Sequence, residues 1–324
     1  MKHVFLIHSN TVLLSALGAI VYEKLNYDDV IFLFSRNFKS TFVNKGILVK
    51  DITAIIDIAN SKGFNYNFFK QRKFIKTIDR FLEKEVKDIF VMYVPHAAAP
   101  FCVFLTNKNR LYSCLLQEGA YSFFNNPTMN AKIHLKNFLF SNNRLWWTSS
   151  WDIPSQKKKI VNLKKTYAID NSYFKALSES ENIIINWPSV KDNRFLYPEK
   201  TCFFIFDTAI EEGFASTDNY LFCCRRLISE SGVKKCFLKF HPAQRTENID
   251  KINALFEGVD AELVDNTIPF EIILTSSRNL NLYGFSTSLL RFGSMLGHHV
   301  TSYMELLRGV STKKYHDHLK KGGY

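Results

Sequence analysis

In residues 2–35, KHVFLIHSNTVLLSALGAIVYEKLNYDDVIFLFS, an apolar strand, a helix and a second apolar strand follow one another. We predict strands over 4–7 and 29–35, with a helix over 11–25 between them. Strands of nearly unbroken apolar character are typical of parallel sheets covered on both faces. The same alternation continues with a helix over 68–87 and strands over 88–94 and 110–116. It predicts a doubly wound α/β domain.

A second α/β series follows residues 183–200, a segment with two prolines and mixed charge that is typical of an interdomain linker. We predict strands over 201–206, 235–240, 261–264 and 279–283, helices over 217–231, 248–257, 269–276 and 288–296, and a basic helical tail over 303–321. A chain of 324 residues is longer than one core usually accommodates. We therefore predict two Rossmann-like domains, 1–190 and 191–324, that face a cleft, with the C-terminal helix packing back on the first domain.

The composition limits the classes of function. A formal net charge of +12 indicates an anionic partner. No zinc-finger spacing or helix-turn-helix pattern accompanies it, so we expect no nucleic acid partner. The six cysteines lack C-x-x-C spacing and lie mostly in apolar runs, which predicts reduced core residues. We see neither a signal peptide nor an apolar stretch of the roughly 20 residues that span a bilayer, and we expect a cytoplasmic protein.

Ligands of open parallel sheets bind beyond the carboxyl ends of the strands, so the residues that follow predicted strands are the candidate site. The first such motif is LLQEGA, residues 115–120. Glu118 at this strand end is a candidate general base, and the following Gly119 permits close backbone approach. The alternative is a solvated turn carboxylate.

The second strand-end motif is FLKFHPAQ, residues 237–244. His241 has an ordinary pKa near neutrality, so it can donate a proton or a hydrogen bond to a departing phosphate. Pro242 fixes the turn that holds it. The alternative is a polar residue that caps a loop.

The third strand-end motif is LYGFSTSLL, residues 282–290: a strand, Gly284, a hydroxyl cluster and then a helix. The hydroxyls of Ser286, Thr287 and Ser288 add donors to the free N–H groups at a helix N-terminus, which together bind phosphate. Simple N-capping by Ser286 or Thr287 is the alternative, and it is compatible with phosphate binding.

These motifs, in this order, resemble those of the bacterial sialyltransferases of the GT-B fold, including lipooligosaccharide sialyltransferases and polysialyltransferases. That group has an acidic pair before glycine, then His-Pro, then Ser-Ser or Ser-Thr. The resemblance extends from the opening strand to the hydroxyl cluster and rests on motif order and architecture. This sequence departs from the pattern where Gln117 replaces one acid, and at the third motif, where Thr287-Ser288 is the matching pair.

The resemblance implies an inverting transfer of sialic acid from CMP-sialic acid to a hydroxyl of a bacterial surface glycan, lipooligosaccharide or capsule, that ends in galactose or sialic acid. The first domain would then lie on the acceptor side, and the second would bind the nucleotide sugar. Glu118 deprotonates the acceptor, while His241 and the hydroxyls of Thr287 and Ser288 stabilise the leaving phosphate. Metal and cofactor are expected to be absent, since no Asp-x-Asp motif appears.

Weaker candidates surround these motifs. Asn10 follows the first strand, and Asp207-Thr208 follows the first strand of the second domain. We also predict substrate contacts for Gln117, Gly119, Pro242 and Gly284. Three further sets are weaker alternatives, namely Glu211-Glu212 as the base, His298-His299 as metal ligands and Asp28-Asp29 as an acidic motif.

Two other functions stay open from the sequence. A transferase of another sugar, above all Kdo from its CMP donor, would need a similar phosphate site. A non-catalytic basic module that binds membrane or nucleic acid is the more distant alternative. The basic stretch Lys313–Lys321 could also hold an enzyme at the inner face of the cell membrane by attraction to anionic lipid, with a solvated helix end as the alternative.

Overall fold

The structure is a computed structural model in which the chain divides into two compact units, Met1–Pro188 and Ser189–Tyr324. Each unit is an α/β domain with its own apolar core. The structure describes residues 1–61, 64, 67–98, 100–119, 135, 161–171, 173–174, 182–189 and 193–322.

Seven parallel strands form the sheet of the first domain in the part of the chain that is described, in the order β3-β2-β1-β4-β5-β6-β7. Phe5 pairs with Phe32 on one side and with Tyr93 on the other. The rings of Phe5 and Tyr93 stack at 4.0 Å. The strands are β1 Lys2–Ile7, β2 Val30–Phe34, β3 Leu48–Asp51, β4 Phe90–Val94, β5 Arg110–Leu116, β6 Leu163–Ala168 and β7 Asn182–Ile184.

The helices of the first domain are α1 Asn10–Tyr22, α2 Thr53–Asn60 and α3 Phe68–Glu85, among the residues described. Helix α1 begins after Ser9, whose hydroxyl accepts a hydrogen bond from the Val12 N–H. Residues 11–20 of this helix are all buried, as its apolar sequence requires. Gly18 lets a later segment pass close to the helix, since a Cβ there would lie 2.8 Å from the carbonyl oxygen of Asn186.

The second domain has a parallel sheet in the order β10-β9-β8-β11-β12. The strands are β8 Cys202–Ile205, β9 Lys235–Lys239, β10 Asp260–Leu263, β11 Asn281–Gly284 and β12 His299–Ser302, and the helices are α4 Thr217–Ser231, α5 Thr246–Asn253, α6 Phe270–Ser276, α7 Ser288–Met295, α8 Met304–Val310 and α9 Lys313–Gly322. The prediction of two α/β domains with parallel sheets is confirmed.

Several details correct the sequence-based expectations. The segment predicted as linker begins with strand β7, whose residues Asn182–Ile184 pair with β6. Strands β3 and β12 were not predicted, because they lie at sheet edges and are largely exposed, so they carry no apolar run. The predicted helical tail over 303–321 is divided into two helices, α8 and α9, and begins directly after β12.

The C-terminal helix α9 contributes Tyr315 and Leu319 to the core of the second domain. Its expected packing on the first domain stays a prediction. Its basic residues are partly engaged in the second domain as well. Lys314 donates a hydrogen bond to the Glu212 carbonyl oxygen and lies 5.5 Å from the centre of the Phe214 ring. One cation of the stretch that could bind anionic lipid is thus hydrogen-bonded within this domain, where it stays exposed.

The cysteines are all free, and five of them are buried while Cys202 is half-buried. This agrees with the prediction of reduced core residues. Within the described part of the chain, no helix combines the length and the apolar character needed to cross a bilayer.

Candidate functional site

The carboxyl edge of the first sheet carries a cluster of ionisable side chains. His8 follows β1, His96 follows β4 and Glu118 follows β5, and these three strands are neighbours in the sheet. Nε2 of His8 lies 3.0 Å from Oε1 of Glu118. The predicted base therefore has an imidazole partner that the sequence analysis had not assigned.

The side chains of this histidine–glutamate cluster are largely buried, and burial shifts the pKa of His96. The side chain of Glu118 is 13% exposed, and its Oε2 is buried without a hydrogen-bond partner among the described residues. The ring of His96 stacks on Phe101 at 4.6 Å. Burial, with smaller contributions from His8 and Arg36, lowers the pKa of His96 to about 2, so this imidazole is neutral at ordinary pH.

Tyr173 holds the turn that carries Glu118 through hydrogen bonds to the backbone. The Tyr173 hydroxyl oxygen accepts hydrogen bonds from the N–H groups of Glu118 and Gly119, at 3.2 and 3.3 Å. Burial raises the pKa of Tyr173 to about 12, so the hydroxyl stays protonated. A Cβ on Gly119 would meet no atom within 4 Å among the described residues.

Gln117, for which we predicted a substrate contact, is fully buried. Its Oε1 accepts a hydrogen bond from the Ile169 N–H at 2.8 Å, and its Nε2 donates to the Gly119 carbonyl oxygen at 3.0 Å. The side chain thus ties β5 to the end of β6 and shapes the turn. This accounts for an amide, which both donates and accepts, at this position.

Asn10 is the first residue of helix α1 and is half-buried, directly after the capping Ser9. It lies at the same edge of the sheet as His8, because β1 ends at Ile7. Its predicted contact with the substrate stays a prediction.

The second domain contains a cavity of about 420 Å³ at the carboxyl ends of β8, β9 and β11. Most of the site residues predicted in this domain line it, although they come from three separate segments of the chain. The lining residues are Ile205, Phe206, Asp207, Thr208, Glu212, Phe214, Lys239, Phe240, His241, Pro242, Ser286, Thr287, Ser288 and Leu289.

His241 lines the cavity, and one of its two ring nitrogens is engaged by a hydrogen bond within its own turn. Its Nδ1 accepts a hydrogen bond from the Ala243 N–H at 3.1 Å, which places the proton of the neutral ring on Nε2. Partial burial lowers the pKa of His241, and the carboxylate of Asp207 opposes this shift. The Gln244 side chain also accepts from the His241 N–H at 2.7 Å, so the turn is rigid.

Asp207 organises the loops around the cavity. Its Oδ1 accepts hydrogen bonds from the Ala209 N–H at 3.1 Å and the Tyr220 hydroxyl at 3.0 Å. The nearby Ser286 N–H also favours the charged form of this carboxylate. Burial raises the pKa of Asp207, while these hydrogen bonds oppose the rise.

The hydroxyl cluster opens helix α7. The Thr287 hydroxyl accepts a hydrogen bond from the Leu290 N–H at 3.3 Å, so it caps the helix as the simpler interpretation predicted. Ser286 Oγ accepts from the Tyr315 hydroxyl at 2.9 Å. The helix N-terminus and the Ser288 hydroxyl both belong to the lining of the cavity, where they suit an anion.

Gly284 was predicted to contact substrate, but it is not among the residues that line the cavity in the described structure. A Cβ at this position would lie 2.5 Å from the Ile205 carbonyl oxygen and 3.2 Å from Leu290 Cδ1. Its role is therefore to permit close approach of β11 to β8.

The rival candidates have structural roles. Glu211 Oε1 accepts hydrogen bonds from the Arg245 N–H and the Asn248 side chain, at 2.9 and 2.8 Å. His298 is buried, with its Nδ1 accepting from the Leu280 N–H at 3.2 Å. Asp29 forms an ion pair with Lys2 at 3.1 Å. Glu212, by contrast, lines the cavity.

Sequence reasoning missed His8, His96 and Lys239. The strand-end rule applied to every strand would have found both histidines. Lys239 is the last residue of β9 and is buried in the cavity wall. Its ammonium donates to Asn266 Oδ1 and the Ile268 carbonyl oxygen, both at 3.3 Å, and burial lowers its pKa.

No protein-family model and no curated protein matches this chain. Solved structures do match it. UDP-GlcNAc 2-epimerase from Methanocaldococcus jannaschii has a TM-score of 0.52 at 12% identity, covering 96% of this chain and 91% of its own. The same enzyme in complex with UDP-GlcNAc and UDP gives 0.50 at 11%, over 96% and 92%. The likeness is one of fold.

A putative UDP-N-acetylglucosamine 2-epimerase from Listeria monocytogenes shows the same similarity. Its TM-score is 0.51 at 9% identity, covering 92% of this chain and 78% of its own. The two-domain α/β arrangement of this chain is therefore one that solved proteins share along most of their length.

Proposed function

We propose that this chain is an inverting sialyltransferase that moves sialic acid from CMP-sialic acid to a hydroxyl of a bacterial surface glycan. The cavity of the second domain is the observation that carries the proposal. Its wall combines a histidine N–H donor, four hydroxyl residues and a helix N-terminus, which is a set of groups suited to a nucleotide phosphate. The solved proteins of similar fold include one bound to UDP-GlcNAc, which supports a sugar-nucleotide donor.

The proposed chemistry is a single displacement. Glu118 takes the proton of the acceptor hydroxyl, with His8 at 3.0 Å holding the carboxylate in place. The acceptor oxygen then bonds to the anomeric carbon of the sialyl group as the bond to the phosphate oxygen breaks. CMP leaves with the bonding electron pair. His241 Nε2–H and the hydroxyls of Thr287 and Ser288 donate hydrogen bonds to the departing phosphate.

Lys239 and Asp207 support the nucleotide end of this reaction. Lys239 adds a positive charge to the cavity wall, although its hydrogen bonds to backbone and Asn266 keep the ammonium in the wall. Asp207 accepts from the Ala209 N–H and the Tyr220 hydroxyl in the wall of the cavity, so its substitution would disturb the loop beside the hydroxyl cluster. We assign both residues to positioning.

Donor screening tests the proposal directly. In excess EDTA, purified protein given CMP-sialic acid and an acceptor ending in galactose or sialic acid is expected to release CMP and form an α-linked product. Thermal-shift measurements should show stabilisation by CMP above that given by UMP or ADP. CMP-Kdo and UDP-GlcNAc are the comparison donors. Turnover of either of these, with none of CMP-sialic acid, would contradict the sialyl assignment.

His241 gives the CMP affinity a pH dependence of known sign. Because its pKa is lowered below the ordinary 6.5, the free protein takes up this proton only in mildly acidic solution. A bound phosphate favours the protonated ring, so we expect CMP affinity to rise as pH falls from 7.5 to 5.5, by up to about tenfold per pH unit. The CMP phosphate itself titrates in this range.

Calorimetric titration of wild-type protein and His241→Gln separates the two effects, because the ligand titrates equally in both. The ratio of the two affinities is expected to increase toward low pH. His299→Gln, at an exposed position in β12, is the matched control and should follow wild type. A ratio that stays constant over this pH range would show that His241 does not contact the phosphate.

A further inference from the structure

Three potential metal ligands come together at the carboxyl edge of the first sheet. Nitrogen atoms of His8 and His96 and a carboxylate oxygen of Glu118 all lie within 4.8 Å of one another. Each residue follows a different strand, and the order β1-β4-β5 makes these strands neighbours. The cluster therefore sits on a rigid frame, as a pre-formed metal site requires.

The separations suit a small tetrahedral ion. Zinc binds histidine nitrogen at about 2.0–2.1 Å and carboxylate oxygen at about 2.0–2.2 Å, so neighbouring ligand atoms in a tetrahedral site lie roughly 3.3 Å apart. His8 Nε2 and Glu118 Oε1, at 3.0 Å, already have nearly this spacing. The ligand nitrogen of His96 lies within 4.8 Å of the other two ligand atoms. A small movement of the side chains would therefore bring it to tetrahedral spacing.

The chemistry of the ligands selects the type of ion. Two imidazoles and one carboxylate form the set that binds catalytic zinc in other proteins, with the fourth position left open. Imidazole also suits copper and nickel, whereas magnesium and calcium prefer shells made largely of oxygen. Both histidines are buried, and Phe101 stacks against each of their rings, at 5.8 Å for His8 and 4.6 Å for His96.

We propose that His8, His96 and Glu118 form a binding site for a Zn²⁺-class transition-metal ion. A second observation supports it: Oε2 of Glu118 is buried without a hydrogen-bond partner among the described residues, so this carboxylate has unused binding capacity. Binding would occupy the carboxylate to which we assign proton removal. This consequence for transfer rests on the proposed function, whereas the metal site itself does not.

The test is a direct measurement of metal binding on the full chain after treatment with chelator. Calorimetric titration with Zn²⁺ is expected to show one ion per chain that millimolar Mg²⁺ does not displace. Co²⁺ should give the intense visible absorption of a tetrahedral ion. Glu118→Gln, which keeps shape, and His96→Phe, which keeps packing on Phe101, should each weaken Zn²⁺ affinity by about 100-fold or more.

His299→Gln is the control and should bind Zn²⁺ as wild type does. Absence of stoichiometric binding to wild type, or unchanged affinity in folded Glu118→Gln and His96→Phe proteins, would overturn the inference. Thermal unfolding of the same samples shows whether each protein is folded. CMP titration shows whether the cavity of the second domain binds the nucleotide. A wild-type protein that binds Zn²⁺ but not CMP would contradict the proposed function and leave the metal site standing.

Discussion

Glu118→Gln is expected to lower the rate of sialyl transfer by roughly 10²- to 10⁴-fold, the usual contribution of a general base. The substitution removes the basic oxygen but keeps the shape of the side chain and an oxygen that can face His8 Nε2. CMP affinity should stay unchanged, because the cavity that we propose for the nucleotide is formed by residues of the second domain. Product formation at saturating donor, together with calorimetric CMP titration, measures both quantities.

Two matched variants make the interpretation specific. Glu85→Gln alters a carboxylate of the same domain that pairs with Lys50 at 2.7 Å, and it should transfer at the wild-type rate. Glu212→Gln tests the rival carboxylate in the wall of the cavity. Near-normal turnover by Glu118→Gln, with loss in Glu212→Gln, would move the base to the second domain.

Gly284→Ala is expected to destabilise the second domain by about 1–3 kcal/mol, the usual cost of overpacking a well-packed interior. The new Cβ would lie 2.5 Å from the Ile205 carbonyl oxygen, so strands β8 and β11 must separate. Since Gly284 closely precedes Ser286 and Thr287, we also expect weaker CMP binding. Calorimetric unfolding with and without CMP measures both effects.

Gly309→Ala provides the control for this substitution. Gly309 lies in helix α8, and a Cβ there would meet no atom within 4 Å among the described residues. Alanine is the better helix former, so this variant should be unchanged or more stable by up to about 1 kcal/mol. If Gly284→Ala and Gly309→Ala both unfold like wild type, the packing of β11 against β8 does not depend on the missing Cβ of Gly284.

The sequence predicted the fold and part of the candidate site through one rule. Buried parallel strands are readable as apolar runs, and the residues after them share one edge of the sheet. This rule found Glu118, His241 and the 286–288 hydroxyls, and the structure brings the last two sets together in one cavity. It required no knowledge of contacts between distant segments.

Other residues depended on contacts that the sequence does not show. Gln117 follows a strand like its neighbour Glu118, but its amide is occupied by Ile169 and Gly119. Gly284 belongs to the motif for which we predicted phosphate binding, yet its space is limited by a carbonyl group of another strand. Edge strand β12 has too few apolar residues for a pattern, because one side of it faces solvent.

The hydrogen bond from Tyr315 to Ser286 bears on how the protein matures during synthesis. Residues 313–322 emerge from the ribosome after every strand of the second sheet, yet they supply two core side chains, Tyr315 and Leu319. A nascent chain that lacks them has neither this part of the core nor the hydroxyl that holds Ser286. The wall of the second-domain cavity is thus completed only after residues 313–322 have been synthesised, when the first domain has already been able to fold.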